Sequence, residues 1–176
     1  FHFFPLQLVK AFGKPIIIST GMNDSNSIKK AIKILKKRKV QYAILHTTNL
    51  YPTNHNQVRL NALTELKKMF PNTVIGLSDH TGDNFTSYAA IAMGASIIEK
   101  HFIDNSSRKG PDISASVNTK QMMELIKGVN LIHKAIPGGI KPISKEKKTA
   151  NFAFASVVAN KDLEKGTILN RNNIWV

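Results

Sequence analysis

The sequence predicts an α/β fold with a parallel sheet, about half of a (β/α)8 barrel, followed by the start of a small β-rich domain. Three observations carry this. A short β-branched or apolar run recurs four times, at residues 16–19, 42–46, 74–78 and 97–102, each followed by a polar loop and a segment of helical periodicity. All four repeats end by Ala135, whereas a complete (β/α)8 barrel takes ~250 residues. Beyond Ala135 the texture changes to Pro137-Gly138-Gly139, Pro142 and the charged run 145–148, which is linker composition.

Residues 4–12 are placed as the tail of a helix preceding the first strand, and the chain starts on Phe rather than Met. It is therefore expected to be a piece of something longer. After the first strand, Ile28, Ala31, Ile32 and Leu35 follow the i, i+3, i+4, i+7 spacing of a one-sided helix, with Asp24 or Ser25 as its cap. Leu63, Leu66 and Met69 mark the second helix, residues 88–93 the third, and Met122, Ile126, Val129 and His133 the fourth. Strands that alternate with helices imply βαβ units and a sheet buried on both faces. The expected organisation is a barrel half over 1–135, a linker over 136–150 and a second domain starting at 151. In that domain 152–159 reads as a strand, 162–166 as a turn and 174–176 as the beginning of another element.

With 176 residues, 42% of them hydrophobic, the chain can bury one ordinary core. It has no cysteine, so any metal must be held by His, carboxylate or water. No uninterrupted apolar run is long enough to cross a bilayer, and a soluble cytoplasmic protein without a membrane partner is expected. Lys and Arg number 25 against 11 Asp and Glu, a net charge of +14. The cations sit on predicted helix faces, at helix ends and in the linker, with no interleaved aromatics to stack bases, so no nucleic acid partner is expected.

The polar clusters fall just after the predicted strands: Ser19-Thr20-Gly21, the stretch 46–53, Ser78-Asp79-His80-Thr81 and Glu99-Lys100-His101. In a barrel that is the face carrying the active site. His80 and His101 end neighbouring strands, with Asp112 in the following loop. Two imidazoles with oxygen ligands suit a divalent ion such as Mn, Zn or Fe, and two satisfied histidines without metal suit the spacing equally well. Ser19, Thr20, Asn49 and Ser78 offer neutral donors where backbone N–H groups also favour phosphate, or else they are helix caps. Asp79 and Asp83 have the same two readings. His46 and His133 read as packed residues, and His2 and His55 as surface residues.

KPIIISTGM (14–22), LHTTNLYPT (45–53), GLSDHT (76–81), EKHF (99–102) and GPD (110–112) resemble the sialic acid synthase family. FAFASVVANKDLEKGTIL (152–169) resembles the hinge into that family's C-terminal antifreeze-like (SAF) domain. The resemblance implies a TIM-barrel synthase that condenses phosphoenolpyruvate with N-acetylmannosamine and water to give N-acetylneuraminate and phosphate. It implies His80 and His101 as ligands of a divalent metal, Mn2+ in the first place, with Mg2+ or Co2+ as alternatives. Ser19, Asn49 and Ser78 fall on positions that contact phosphoenolpyruvate, Tyr51 and Asp112 on positions that hold the amino sugar, and Glu99 on a carboxylate close to the reacting carbons. A domain-swapped homodimer is implied for the full-length protein, as is inactivity of this piece alone, since the first four strands and their clamp residues are not in it. A legionaminic or pseudaminic acid synthase shares the fold and metal, although GPDISAS (110–116) leans towards the N-acetylmannosamine enzymes. The remote alternative is a basic nucleic-acid-binding fragment.

Overall fold

The structure, a computed structural model, describes residues 13–105 and 107–176. The helical tail expected at 4–12 and His2 lie outside the described residues. Two compact units divide between Pro137 and Gly138.

The first unit is built on β1 (Ile16–Ser19), α1 (Ser25–Lys37), β2 (Tyr42–Thr47), α2 (Asn61–Met69), β3 (Val74–Asp79), α3 (Phe85–Ala92), β4 (Ile97–Phe102), β5 (Ser116–Val117) and α4 (Thr119–Ala135). The strands lie in the order β1-β2-β3-β4-β5 and every pairing is parallel. Right-handed crossovers between successive neighbours place the intervening helices on one face. The result is an arc of a barrel, half of a (β/α)8 fold, rather than a doubly wound sheet, whose strand order would reverse at a switch point.

Local chemistry explains the elements. The Asp24 carboxylate caps α1 by accepting from the Ser27 N–H at 2.7 Å, Ile28, Ala31, Ile32 and Leu35 are buried, and Lys36 and Lys37 close the last turn, where cations meet the negative end of the helix dipole. α4 starts with a reciprocal capping box between Asn118 and Gln121. The helix stripes pack on Ile18, Ile44, Ile75 and Leu77 of the strands. Burying each such side chain contributes about 1.5–3 kcal/mol. The central strands β2 and β3 are buried on both faces except at their first residues, as parallel strands require. Ile17 on edge strand β1 remains 57% exposed.

Two expectations for this unit change. The short strand β5 pairs with His101 and Phe102, so only the first part of β4 is an open edge. The packed stripe of α4 is Met122, Leu125, Val129 and Ile132; Leu125 and Ile132 take the places expected for Ile126 and His133, which face solvent. The phase is set by α3, where the Tyr88 ring lies against Gly128 and its hydroxyl donates to the Glu124 carbonyl at 3.0 Å.

The second unit, Gly138–Val176, has a 3-10 turn (Ser144–Glu146), α5 (Lys147–Ala153) and the antiparallel pair β6 (Val158–Ala159) and β7 (Ile174–Trp175). The charged run 145–148 is therefore helical rather than extended, its start held by the Glu146 carboxylate accepting from the Ile143 N–H at 2.9 Å. The strand expected over 152–159 is confined to its last two residues, because Phe152 and Ala153 complete α5 and β7 offers only two partners.

Candidate active site

Register places the expected residues on one sheet face. Thr47 pairs with Ser78 and Ser78 with Glu99. One layer deeper, Ser19, Leu45, Gly76 and Ile97 align. Because side chains alternate along a strand, Ser19, Thr47, Ser78 and Glu99 share a face, and His101 follows two residues beyond Glu99. At the C-terminal ends of β3 and β4, the His80 and His101 rings meet edge-on with centroids 5.1 Å apart. Ser78, His80, Glu99, Lys100 and His101 line a cavity of about 70 Å³ there. A larger cleft of about 380 Å³ lies between α1 and α2, beside His46, Arg59 and Glu65; of the candidate phosphate-binding donors only Thr20 lines it.

His80 is tightly held. Its Nδ1 lies 2.9 Å from the Thr48 carbonyl, which can only accept, so Nδ1 carries the proton and Nε2 keeps its lone pair, 3.3 Å from the Ser78 hydroxyl. Burial pushes its pKa down, with the Thr48 bond opposing and His101 adding to the depression, so the neutral imidazole needed by a metal ligand is favoured. Tyr51 stacks on His80 and stands edge-on to His101. The loop carrying it is tied down by buried Thr53, whose hydroxyl donates to the Leu50 and Thr48 carbonyls and whose N–H donates to the His80 carbonyl. The Tyr51–Pro52 bond is cis. Asp112 reaches the cluster from the β4–β5 loop, its carboxylate 4.0 Å from His101 Nδ1.

Asn49 stands against Gly21, the residue two beyond β1; a Cβ at Gly21 would overlap the Asn49 carboxamide, so this close approach requires glycine. Ser19 and Glu99 are exposed, Ser78 is buried. Among the described helices, side-chain caps come from Asp24 and Asn118, not from Ser19, Thr20, Asn49 or Ser78. Among the described residues no group of three His, Cys, Asp or Glu is arranged to hold a metal, so His80 and His101 would need water or substrate oxygens to complete a coordination shell.

Asp79, Asp83 and His46 are engaged in contacts away from this cluster. Asp79 turns to the helix-facing side, where its carboxylate accepts from the Thr86 and Ser87 hydroxyls and the Thr81 N–H and lies 3.1 Å from Lys100 Nζ. Burial pushes the Asp79 pKa up, but Lys100 and these hydrogen bonds outweigh it and hold the carboxyl below its ordinary range. Asp83 pairs with His55 at 2.8 Å. His46 is buried behind the sheet and donates from Nε2 to the Val58 carbonyl at 2.7 Å. Sequence reasoning gave Lys100 no role of its own; its one signal was a cation inside a strand that otherwise reads as buried.

Known proteins share this sequence and fold. The chain is 39% identical over 173 residues to N,N'-diacetyllegionaminic acid synthase of Campylobacter jejuni, covering 96% of this chain and 52% of that one. It is 32% identical to human N-acetylneuraminate-9-phosphate synthase, covering 93% of this chain and 46% of that one. The crystal structure of N-acetylneuraminic acid (sialic acid) synthetase from Leptospira borgpetersenii, solved with citrate, superposes with a TM-score of 0.77 at 29% identity, over 85% of this chain and 52% of that chain. The chain thus spans about half the length of the relatives it matches. Residues 2–141 match the NeuB family across the whole of the sheet and its helices, and the chain belongs to the NeuB family.

Proposed function

We propose that this chain supplies the metal-bearing half of the active site of a cytoplasmic synthase that condenses phosphoenolpyruvate with N-acetylmannosamine and water, giving N-acetylneuraminate and phosphate. The observation that carries the proposal is the meeting of His80, His101, Tyr51 and Asp112 at the ends of neighbouring parallel strands in a NeuB-family chain. The donor set fits a divalent cation, Mn2+ with Mg2+ or Co2+ as alternatives: the His80 proton is fixed on Nδ1 by Thr48, and Nε2 presents a lone pair that here faces only the Ser78 hydroxyl. When bound, that cation supplies Lewis-acid polarisation of the sugar's aldehyde oxygen.

The chain's own residues contribute to both substrate pockets. Ser19, Asn49 and Ser78 hold phosphoenolpyruvate, while Tyr51 and Asp112 hold the open-chain sugar. C3 of phosphoenolpyruvate attacks the aldehyde carbon, water adds at C2, and phosphate leaves C2. The aldehyde oxygen takes up a proton from solvent as the C–C bond forms, while Glu99, a carboxylate on the same face, offsets positive charge developing at C2 and accepts the proton of the adding water. The second unit is the start of an antifreeze-like domain, which in a domain-swapped homodimer closes the partner's sugar site.

A second reading, a synthase of N,N'-diacetyllegionaminic acid, is favoured by the higher identity to the Campylobacter enzyme. The test is co-expression with the N-terminal half of a related synthase, then assay of phosphate release and sugar product with Mn2+, phosphoenolpyruvate and either N-acetylmannosamine or a diacetamido hexose. Product from N-acetylmannosamine is expected. Product from the diacetamido sugar alone selects the second reading, and no product from either refutes both. The chain by itself is expected to be inactive, since correct positioning can account for ~7–11 kcal/mol of a barrier and half of the clamp is missing.

A further inference from the structure

We infer that Lys100, through its buried contact with Asp79, is a positioning residue that sets the separation of His80 and His101. Lys100 lies between Glu99 and His101 in β4, and its side chain crosses behind the sheet to β3. There its ammonium group contacts both neighbours of His80: the Asp79 carboxylate at 3.1 Å, and Thr81 through the carbonyl at 2.8 Å and the hydroxyl at 3.3 Å. One cation thereby ties the three-residue segment that carries His80 to the strand that carries His101. The clamp is rigid from the other side too, because Thr86, Ser87 and the Thr81 N–H fill the remaining acceptor sites of Asp79.

The side chains of the pair are 1% and 0% exposed. A buried ion pair is a poor source of stability, since well-packed apolar residues of similar volume commonly serve as well or better. Its worth here lies in geometry: ladder hydrogen bonds fix strand register, but the last register pair is Asp79 with Lys100, and His80 lies one residue past the end of β3. Nothing in the ladder holds the His80 ring at its height beside His101. From the β2 side Thr48 and Thr53 hold the ring and carbonyl of His80, and from the β4 side the Lys100 contacts hold the residues either side of it.

This inference rests on His80 and His101 sharing a metal only in its second readout. The variants are Lys100→Met, Asp79→Asn and the double D79N/K100M, the last removing both charges so that neither is left buried and unpaired. The first readout is the side-chain 15N spectrum of His80 without metal, which reports its tautomer; the second is Mn2+ affinity by titration of the free-ion EPR signal. Thermal unfolding is followed in parallel. The double variant is expected to recover the melting temperature lost in the single ones, while His80 loses its fixed Nδ1–H tautomer and Mn2+ binds about 10- to 100-fold more weakly. A double variant in which His80 keeps that tautomer overturns the positioning role. If His80 is loosened but the wild-type chain binds no Mn2+, the positioning role stands and the metal assignment falls.

Discussion

The Tyr51 ring lies nearly flat on the His80 imidazole, centroids 4.3 Å apart and planes 26° from parallel. Stacking makes Tyr51 a wall of the site, and the sugar contact proposed for it falls to its hydroxyl. In the reconstituted enzyme Tyr51→Phe is expected to raise the KM for the sugar about fivefold, the equivalent of a hydrogen bond worth ~1 kcal/mol, and to leave that for phosphoenolpyruvate unchanged. Steady-state kinetics with each substrate varied in turn checks this; equal shifts for both would remove Tyr51 from the sugar site.

Gly21 and Asn49 form the second relationship. A methyl at Gly21 overlaps the Asn49 carboxamide, so Gly21→Ala should act by displacing Asn49. Both Gly21→Ala and Asn49→Ala are then expected to raise the KM for phosphoenolpyruvate, and the double variant should be no worse than the poorer single one, since residues in contact couple. Additive effects in that cycle would show that Gly21 does not work through Asn49.

Packing of α3 on α4 predicts a stability effect far from the chemistry. A Cβ at Gly128 would run into the Tyr88 ring. Gly128→Ala should cost about 1–3 kcal/mol, the usual range for overpacking, and Tyr88→Leu in the same chain should recover part of it. Urea unfolding measures both.

The chain should be less stable in mild acid. Burial holds the pKa of His46 below its ordinary 6.5, and His80 shifts in the same direction from the same ordinary value. A group depressed in the folded state is protonated more readily when unfolded, so its contribution is complete above pH 6.5 and is lost as the pH falls through the folded value. The contribution of Asp79 is lost only below its ordinary 3.8. The melting temperature is therefore expected to drop between pH 7.5 and 5.5, a window taken from the His shifts. His46→Gln, which stays neutral and can still donate to Val58, should flatten part of that slope.

The sheet was legible because its apolar runs are separated by polar loops at regular intervals, and the sharing of one face by Ser78, His80 and Glu99 follows from strand alternation alone. Less legible was what long-range contacts decide. The phase of α4 depends on Tyr88 meeting Gly128, and both Ile126 and Leu125 satisfy a helical period. β5 has two residues, too few to show alternation, and exists only because His101 and Phe102 lie beside it. Lys100 stands out in the sequence only as a cation within an apolar strand, and its partner is found only when Asp79 is seen behind the sheet to receive it.

Every strand of the main sheet pairs with its neighbour in sequence, so the site is written as consecutive cassettes. Each cassette is one contiguous stretch of chain ending on one strand: His80 and Ser78 belong to one, Tyr51 and Asn49 to another, and Asp112 to the loop 103–115. Exchange of a single stretch between relatives, cut within flanking strands, replaces one recognition element and leaves the ladders on either side intact. On the roles proposed above, the loop that brings Asp112 to His101 is the shortest stretch whose exchange would alter the sugar contacts in one genetic event while leaving the two histidines in place.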